Sequence, residues 1–186
     1  MDRPVGGPPS DEHWAPDHLV LDRRVFQCAG RLLVERDADG QVLQHSPLAD
    51  MAAVEQRYPP WALGPFGRVE PERDLPELPG VYALVEHGVV RYVGSSLNLA
   101  RTFDGRNGLG HISRRDCQTP RHEERCRLNR LVVAAAKAGK VIDVYVMTTQ
   151  TTKHRPWMPA AKGAHAPSVV AEQLVQTARG AWHLPS

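Results

Sequence analysis

Residues 80–94 read GVYALVEHGVVRYVG, and this stretch decides the fold. Two runs rich in β-branched and aromatic residues flank a short polar segment, which is typical of a β-hairpin. A two-residue loop would place Tyr82 and Tyr92 on opposite faces of the hairpin. A three-residue loop over residues 86–88 would pair the two tyrosines on one face and leave a valine-rich face for the core. We favour the three-residue loop, with Gly88 in the left-handed conformation at its end.

The segments after the hairpin predict further helices and one more strand. Residues 98–104 are a short helix candidate. Residues 123–138 carry an apolar stripe at helical spacing and are followed by Gly139, a typical helix stop. Residues 141–146 are expected to be a third strand, and residues 168–180 a last helix. The predicted class is α+β, with a small three-stranded, mainly antiparallel sheet flanked by helices and an N-terminal β-rich extension.

The N-terminal part of the chain differs in composition from the rest. Residues 1–17 are rich in Pro, Gly and Asp, which predicts a flexible N-terminal arm. Residues 18–78 are interpreted as an N-terminal extension that begins with strand-like runs. Six prolines within residues 59–79 indicate that this extension ends in a proline-rich linker. Residues 79–186 form the domain that carries the hairpin.

The overall composition excludes several classes of protein. The chain has 186 residues, of which 41% are hydrophobic and 24% charged, as in an ordinary globular protein. It lacks an apolar run of about 18 residues, so no membrane span is expected. The N-terminus shows no secretory signal, and three cysteines are too few and odd for a disulfide framework. A cytoplasmic location is therefore predicted.

Positive charge is concentrated in one part of the chain. The net charge is only +2, but eight arginines lie within thirty residues: Arg101, Arg106, Arg114, Arg115, Arg121, Arg125, Arg127 and Arg130. Four acidic residues in the same stretch offset half of them. Guanidinium groups bind phosphate bidentately, so the cluster suits a polyanion such as nucleic acid. The alternative is a solvated surface strip.

Taken together, these segments resemble the GIY-YIG nuclease family. Gly80-Val81-Tyr82 is similar to the first motif of the family and Tyr92-Val93-Gly94 to the second. The strand-to-helix junction at residues 92–99 and a late helix with a glutamate are also similar. The resemblance covers about residues 79–183. It implies a metal-dependent endonuclease that hydrolyses DNA phosphodiester bonds, of the restriction or defence type, with Mg²⁺ or Mn²⁺ as cofactor.

The resemblance also implies roles for individual residues. Tyr82 would position or deprotonate the attacking water, with Tyr92 in the same hydrogen-bond network. Glu172 would hold the metal ion through a carboxylate oxygen. His111 is a candidate general base or phosphate contact. Glu172 lies off the apolar stripe of its helix, as a cleft residue would, although a first-turn glutamate can also serve only the helix dipole.

Two positions depart from the pattern of the family. The arginine expected on the first helix, which would stabilise transition-state charge, is Thr102 in this chain. Arg101 is the nearest replacement, although one residue turns a helical side chain by about 100°. Arg106 in the following loop is another candidate. The late asparagine of the family falls near His183.

DNA is the expected partner, and RNA is not excluded. A homodimer is expected because cutting both strands requires two active sites. The predicted nucleic-acid contacts are Arg106, Arg114, Arg115, Arg125, Asn129 and Arg130, and for Asn129 a role in local structure is the alternative.

Three other readings stay open. Because of Thr102 and His183, the domain could bind nucleic acid without cutting it, or the fold could be reused for small-molecule chemistry. A zinc site at His111, Cys117, His122 and Cys126 is a weaker alternative, because the spacing lacks a paired C-x₂-C knuckle.

Overall fold

An antiparallel sheet joins the two halves of the chain. The structure, a computed structural model, describes residues 13–105, 108–149, 166–178 and 181–183. Its strands are β1 (His18–Leu21), β2 (Arg24–Val34), β3 (Val69–Pro71), β4 (Gly80–Glu86), β5 (Val89–Ser96) and β6 (Ile142–Thr148). The order across the sheet is β1-β2-β6-β4-β5, and β3 pairs with β2 off this path. Every pairing among these strands is antiparallel.

The α+β class is confirmed, but the predicted three-stranded sheet is wrong. The long strand β2 comes from the N-terminal extension and pairs with β6, with Gln27 opposite Val146 and Cys28 opposite Tyr145. The sheet therefore continues into β1 and β2, and the predicted boundary at residue 79 does not divide it. Local pattern identifies a strand but carries no information about a partner so distant in sequence.

Five helices accompany the sheet in the described part of the chain. They are α1 (Val54–Arg57), α2 (Leu99–Thr102), α3 (Arg114–Cys117), α4 (Glu123–Lys137) and α5 (Pro167–Ala178), with 3₁₀ turns at Pro60–Ala62 and Pro120–His122. Between β2 and the proline-rich segment, the chain is helical only over α1. None of the helices within the described ranges has the length and apolar character needed to cross a membrane.

The two faces of the hairpin strands pack against different helices. Side chains of a strand alternate between faces, so β4 sends Tyr82 and Leu84 to one side and Val81 and Ala83 to the other. The first side forms a core with α2 and with α4, including Leu128. The second side packs against the apolar residues of α5. The tyrosines and α5 therefore lie on opposite faces of the sheet.

The hairpin loop is shorter than predicted. His87 and Gly88 have φ values of 48° and 77°, the conformation of a two-residue type I′ turn, and Glu86 pairs with Val89. The three-residue loop is therefore wrong. Both tyrosines nevertheless lie on one face, as expected, but they are not opposite each other, because Tyr82 pairs with Gly94 and Tyr92 with Leu84.

A β-bulge reconciles the short loop with tyrosines on one face. The register shifts after Leu84, which pairs with Tyr92, so that Arg91 is an extra residue in β5. The Arg91 guanidinium donates to the buried Glu86 carboxylate at 3.0 Å, and Lys140 donates to the same oxygen at 2.8 Å. Arg91, the charged residue within this strand, is thus the extra residue of the bulge.

The turn gives a first testable expectation. Gly88→Ala should lower the free energy of unfolding by about 1 kcal/mol, because an L-residue with a side chain is strained at positive φ. An added Cβ has no atom within 4 Å, so the cost is conformational and not steric. Gly88→Asn is the control, since Asn adopts this conformation more readily. Urea unfolding measures both, and equal losses in the two variants would contradict the explanation.

Candidate functional site

An open cleft of about 510 Å³ lies on the tyrosine face of the hairpin. Strands β4 and β5 form its floor, and α2, the 3₁₀ turn before α4 and the start of α4 form its walls. The titratable side chains of the lining are Tyr82, Tyr92, Arg101, Arg121, His122, Glu124 and Arg125. The cleft therefore combines two phenols, one carboxylate, one imidazole and three guanidinium groups.

The two tyrosines are packed tightly together. Their ring centroids are 5.9 Å apart, and the ring of Phe103 meets Tyr82 edge-on at 5.3 Å. Gly94 makes this packing possible, since an added Cβ would lie 2.6 Å from the Tyr82 hydroxyl and 2.7 Å from the Tyr92 ring. The glycine of the second motif is thus required by the close approach of both rings.

The tyrosine hydroxyls lead to a carboxylate in the cleft. The Tyr92 hydroxyl donates to Glu124 Oε1 at 2.6 Å. The hydroxyls of Tyr82 and Tyr92 also hydrogen-bond each other. The three groups form a chain from Tyr82 through Tyr92 to Glu124.

Both phenols are held in the neutral form. Burial raises the pKa of Tyr82 well above its usual value, and the negative charge of Glu124 raises it further. Burial also raises the pKa of Tyr92, together with the neighbouring Tyr82 and the hydrogen bond to Glu124. Near neutral pH both phenols are therefore O–H donors beside the carboxylate of Glu124.

Arg101 and Thr102 both line the cleft, but the Thr102 hydroxyl is already engaged. The Thr102 hydroxyl donates to Ser96 Oγ at 2.6 Å, at the end of β5. The Asn98 side chain caps α2 by accepting from the Arg101 backbone N–H at 3.1 Å, and Arg101 is exposed. Of the two arginines predicted to replace the missing one, Arg101 reaches the cleft and Arg106 lies outside the described residues.

A second ion-pair network supports the arginine side of the cleft. Arg125 Nη1 lies 2.8 Å and His122 Nδ1 2.9 Å from Asp116 Oδ1. Burial alone would raise the pKa of Asp116, but hydrogen bonds from Ser113 and the nearby positive charges hold it below its usual value. Asp116 is therefore a fixed negative charge that orients Arg125, whereas Arg121 is exposed at the cleft.

Glu172 is not brought to the tyrosines. It is exposed on α5, which packs on the opposite face through Val170, Ala171 and Leu174. It is absent from the residues that line the cleft. The described carboxylate in the cleft is Glu124, which the sequence reading treated only as an offset to the arginines.

The C-terminal residues cross the edge of the sheet and reach Tyr92. The Trp182 N–H donates to the Arg91 carbonyl at 2.9 Å, and the Val93 N–H donates to His183 Nε2 at 3.0 Å. The His183 ring stacks on Tyr92 with centroids 4.6 Å apart. Burial lowers the pKa of His183, and a neutral imidazole matches its role as acceptor. His183, which stands near the position of the family's late asparagine, thus supports the ring of Tyr92.

His111 lies away from the cleft. Its ring stacks on His45 at a centroid distance of 5.0 Å, and it lines a separate cavity of about 300 Å³ beside Arg68. Burial and the neighbouring His45 and Arg68 lower the pKa of His111. The structure therefore does not join His111 to Tyr82 and Tyr92.

The predicted nucleic-acid contacts separate into two groups. Asn129 is wholly buried and bonded to the backbone of Gly67 and Leu109, so its prediction as a DNA contact is wrong. Arg130 donates to the Pro60 carbonyl at 2.7 Å and Arg114 to the Pro47 carbonyl at 3.0 Å, which leaves both outside the cleft. Arg115 is exposed on α3, also outside the cleft. Arg125 is the predicted contact that lines it.

The residues proposed as zinc ligands make separate contacts instead of one shared site. The Cys117 and Cys126 thiols are buried and hydrogen-bond each other, while His122 pairs with Asp116. Within the ranges that the structure describes, no three His, Cys, Asp or Glu side chains form a group that could hold a metal ion.

Sequence reasoning missed Glu124 although a signal was present. Glu124 precedes Leu128 by four residues and so lies one turn earlier on the same face of α4. Leu128 belongs to the apolar stripe of residues 123–138, and it packs in the core on the tyrosine face of the sheet. Extending that stripe by one turn places Glu124 at the sheet as well, where a phenol from the hairpin can meet it.

Comparison with known proteins gave no relative of this chain. No family model, no curated protein and no solved structure matches it. Its function is therefore inferred from the side chains that line the cleft.

Proposed function

We propose that this protein is a metal-dependent endonuclease that hydrolyses DNA phosphodiester bonds, with chemistry like that of the GIY-YIG nucleases. One observation carries the proposal: the buried side chains of Tyr82 and Tyr92 lead to Glu124, an exposed carboxylate in an open cleft beside exposed arginines. Guanidinium groups bind and neutralise phosphate, while a carboxylate linked to hydroxyls can accept a proton from attacking water. An open cleft also suits a long polymer better than a small enclosed ligand.

Because both phenols are neutral, we assign the role of general base to Glu124. A tyrosinate would be costly in this cleft, because burial and Glu124 both raise the pKa of Tyr82 and Tyr92. The attacking water forms a new bond to phosphorus and gives its proton to a phenol oxygen, while that phenol passes its own proton towards Glu124. The P–O bond to the leaving sugar oxygen breaks, and that oxygen takes a proton from solvent water. The arginines stabilise the charge that develops on the phosphate.

The cleft residues are compatible with Mg²⁺ or Mn²⁺. Magnesium is usually held by one or two carboxylates together with substrate phosphate oxygens and water. The exposed Glu124 has one oxygen bonded to Tyr92 and can offer the other to a metal ion. A bound ion would polarise the phosphate and lower the pKa of water. Glu172, the ligand that the family resemblance implies, is a second candidate but lies on the other face of the sheet.

A plasmid-nicking assay tests the proposal. The purified protein should convert supercoiled DNA to nicked and linear forms with Mg²⁺ or Mn²⁺, and EDTA should stop the reaction. Parallel reactions with RNA decide between the two nucleic acids. Intact substrates with every ion, at protein concentrations that bind DNA, would reject hydrolysis.

Binding without cleavage is the second candidate function. It is favoured by Thr102, whose hydroxyl is engaged with Ser96 where the family carries an arginine. In that case the protein should hold DNA with strong salt dependence and leave it uncut. Arg101 decides between the two functions, because Arg101→Ala should lower cleavage more than binding if its charge stabilises the transition state.

The cleft arginines should also set the salt dependence of DNA binding. Arg121→Ala should reduce the slope of log affinity against log salt by about one unit, as expected for one lost phosphate contact. Arg57→Ala, on the exposed end of α1, is the control and should leave the slope unchanged. Fluorescence anisotropy at several salt concentrations measures both slopes. An unchanged slope for the Arg121 variant would place the phosphate path elsewhere.

A restriction or defence role and a homodimer remain part of the proposal. Cutting both strands requires two active sites, which a symmetric dimer would supply. Sedimentation of the protein with and without a duplex tests the assembly. A monomer on DNA that produces only nicks would argue against the dimer.

A further inference from the structure

Leu97 stands out among the apolar side chains. It is 85% exposed, more than any other large hydrophobic residue in the described part of the chain. Single exposed leucines are common on protein surfaces and by themselves carry no meaning. Leu97, however, lines the tyrosine cleft, where its neighbours in the lining include Arg101 and Arg121. An apolar tip in a cationic cleft needs a partner with both charged and apolar parts.

The backbone on both sides of Leu97 is fixed. Ser96 Oγ accepts from the Asn98 N–H at 3.0 Å and from the Thr102 hydroxyl at 2.6 Å. The Asn98 side chain then caps α2. The Leu99 N–H donates to the Leu78 carbonyl at 2.9 Å. These bonds hold the junction between β5 and α2, so Leu97 is presented by a rigid turn and not by a loose loop.

We propose that Leu97 is a wedge that enters a base step of a DNA duplex bound in the cleft. The inference rests on the proposed function and adds to it the form of the substrate. The arginines hold the phosphates, and an aliphatic side chain between two base pairs unstacks them and kinks the duplex. A kink brings the backbone closer to the Tyr82 and Tyr92 hydroxyls, whose side chains are only 5% and 4% exposed.

The same features favour a duplex over a single strand. Proteins that bind single strands stack the bases on exposed aromatic rings. In this cleft the lining aromatic residues are Tyr82 and Tyr92, and both are buried. The exposed apolar group is aliphatic, as in proteins that wedge into a base step of duplex DNA.

Duplexes that differ in the cost of opening test the wedge. Binding is measured by anisotropy with Ca²⁺ on a short labelled duplex and on the same duplex with a central mismatch, which is already partly unstacked. Leu97→Ala should weaken binding to the paired duplex by about tenfold and to the mismatched duplex by about threefold or less. Leu97→Met should retain most of the affinity. Val89→Ala, an exposed apolar residue at the hairpin turn, should change neither.

The outcomes separate the wedge from the nuclease. If the wild type binds and cuts duplex DNA but Leu97→Ala matches it on both duplexes, the wedge is rejected and the proposed function stands. An equal loss on both duplexes also rejects the wedge, since Leu97 would then be an ordinary contact. If the wild type binds no duplex, both inferences fail. End-to-end energy transfer should show a kink with the wild type that Leu97→Ala lacks.

Discussion

Glu124→Gln should lower metal-dependent DNA cleavage by about 100-fold or more, the usual contribution of a general base. The change keeps the shape of the side chain and a hydrogen-bond partner for the Tyr92 hydroxyl, but it removes the group that accepts the proton. Duplex binding should be retained or strengthened, because a negative charge leaves a cleft that contains Arg101, Arg121 and Arg125. Nicking rates and anisotropy measure the two effects separately.

Two glutamates provide matched controls for this variant. Glu123→Gln removes the same charge from the same turn of α4, at a residue that does not line the cleft, and should cut normally. Glu172→Gln tests the carboxylate that the family resemblance implies. If Glu172→Gln abolishes cleavage while Glu124→Gln retains it, the assignment of the base to Glu124 is wrong.

Tyr92→Phe should behave like Glu124→Gln. The phenylalanine fills the same space between Tyr82 and His183 but breaks the hydroxyl chain to Glu124. Groups that act as one unit are not additive, so the double variant should be little worse than either single one. Losses that multiply would indicate that Tyr92 and Glu124 act independently.

Asn129→Ala should lower the free energy of unfolding by about 3–5 kcal/mol, since it leaves several buried backbone groups without partners. The Asn129 amide accepts from the Gly67 N–H at 3.1 Å and donates to the Gly67 and Leu109 carbonyls at 2.9 Å each. This one side chain therefore ties α4 to two loop segments, one of which contributes Leu109 to the cleft.

An asparagine-to-alanine change at a helix cap provides a reference for this loss of unfolding free energy. Asn98→Ala removes a single cap bond from α2 and should cost about 1 kcal/mol. Urea unfolding compares the two variants. A loss of less than about 1 kcal/mol in Asn129→Ala, together with weaker DNA binding, would restore the view that Asn129 contacts DNA.

The hairpin could be predicted from sequence because its signals are local. Strand propensity and the His87-Gly88 turn lie within a few residues of each other. The bulge at Arg91 could not be foreseen, since it depends on the buried partner Glu86 and on Lys140 from beyond α4. The predicted length of the loop was therefore wrong. The valine-rich face of the strands nevertheless indicated correctly that Tyr82 and Tyr92 share the other face.

Site residues within the hairpin and the helix next to it could be predicted. Residues that reach the cleft only through packing between distant elements were missed. Tyr82, Tyr92 and Arg101 were implied by the resemblance of the hairpin and its adjoining helix to the family motifs, and all three line the cleft. Glu124 and Glu172 could be ranked only by knowing which helix packs on which face of the sheet, and that depends on long-range pairing. For Asn129 the sequence left DNA contact and local structure open, because a polar residue on a helix looks the same in sequence whether it meets water or the backbone of a loop.

The C-terminal residues that cross β5 have a consequence for solubility. An outer strand with free N–H and C=O groups is a template on which another chain can add, and this is one route to aggregation. Trp182 and His183 occupy two of these groups, at Arg91 and Val93, with hydrogen bonds of their own. Trp182 and His183 thus block part of the exposed edge of β5 against pairing with another chain, and the His183 ring also supports the ring of Tyr92.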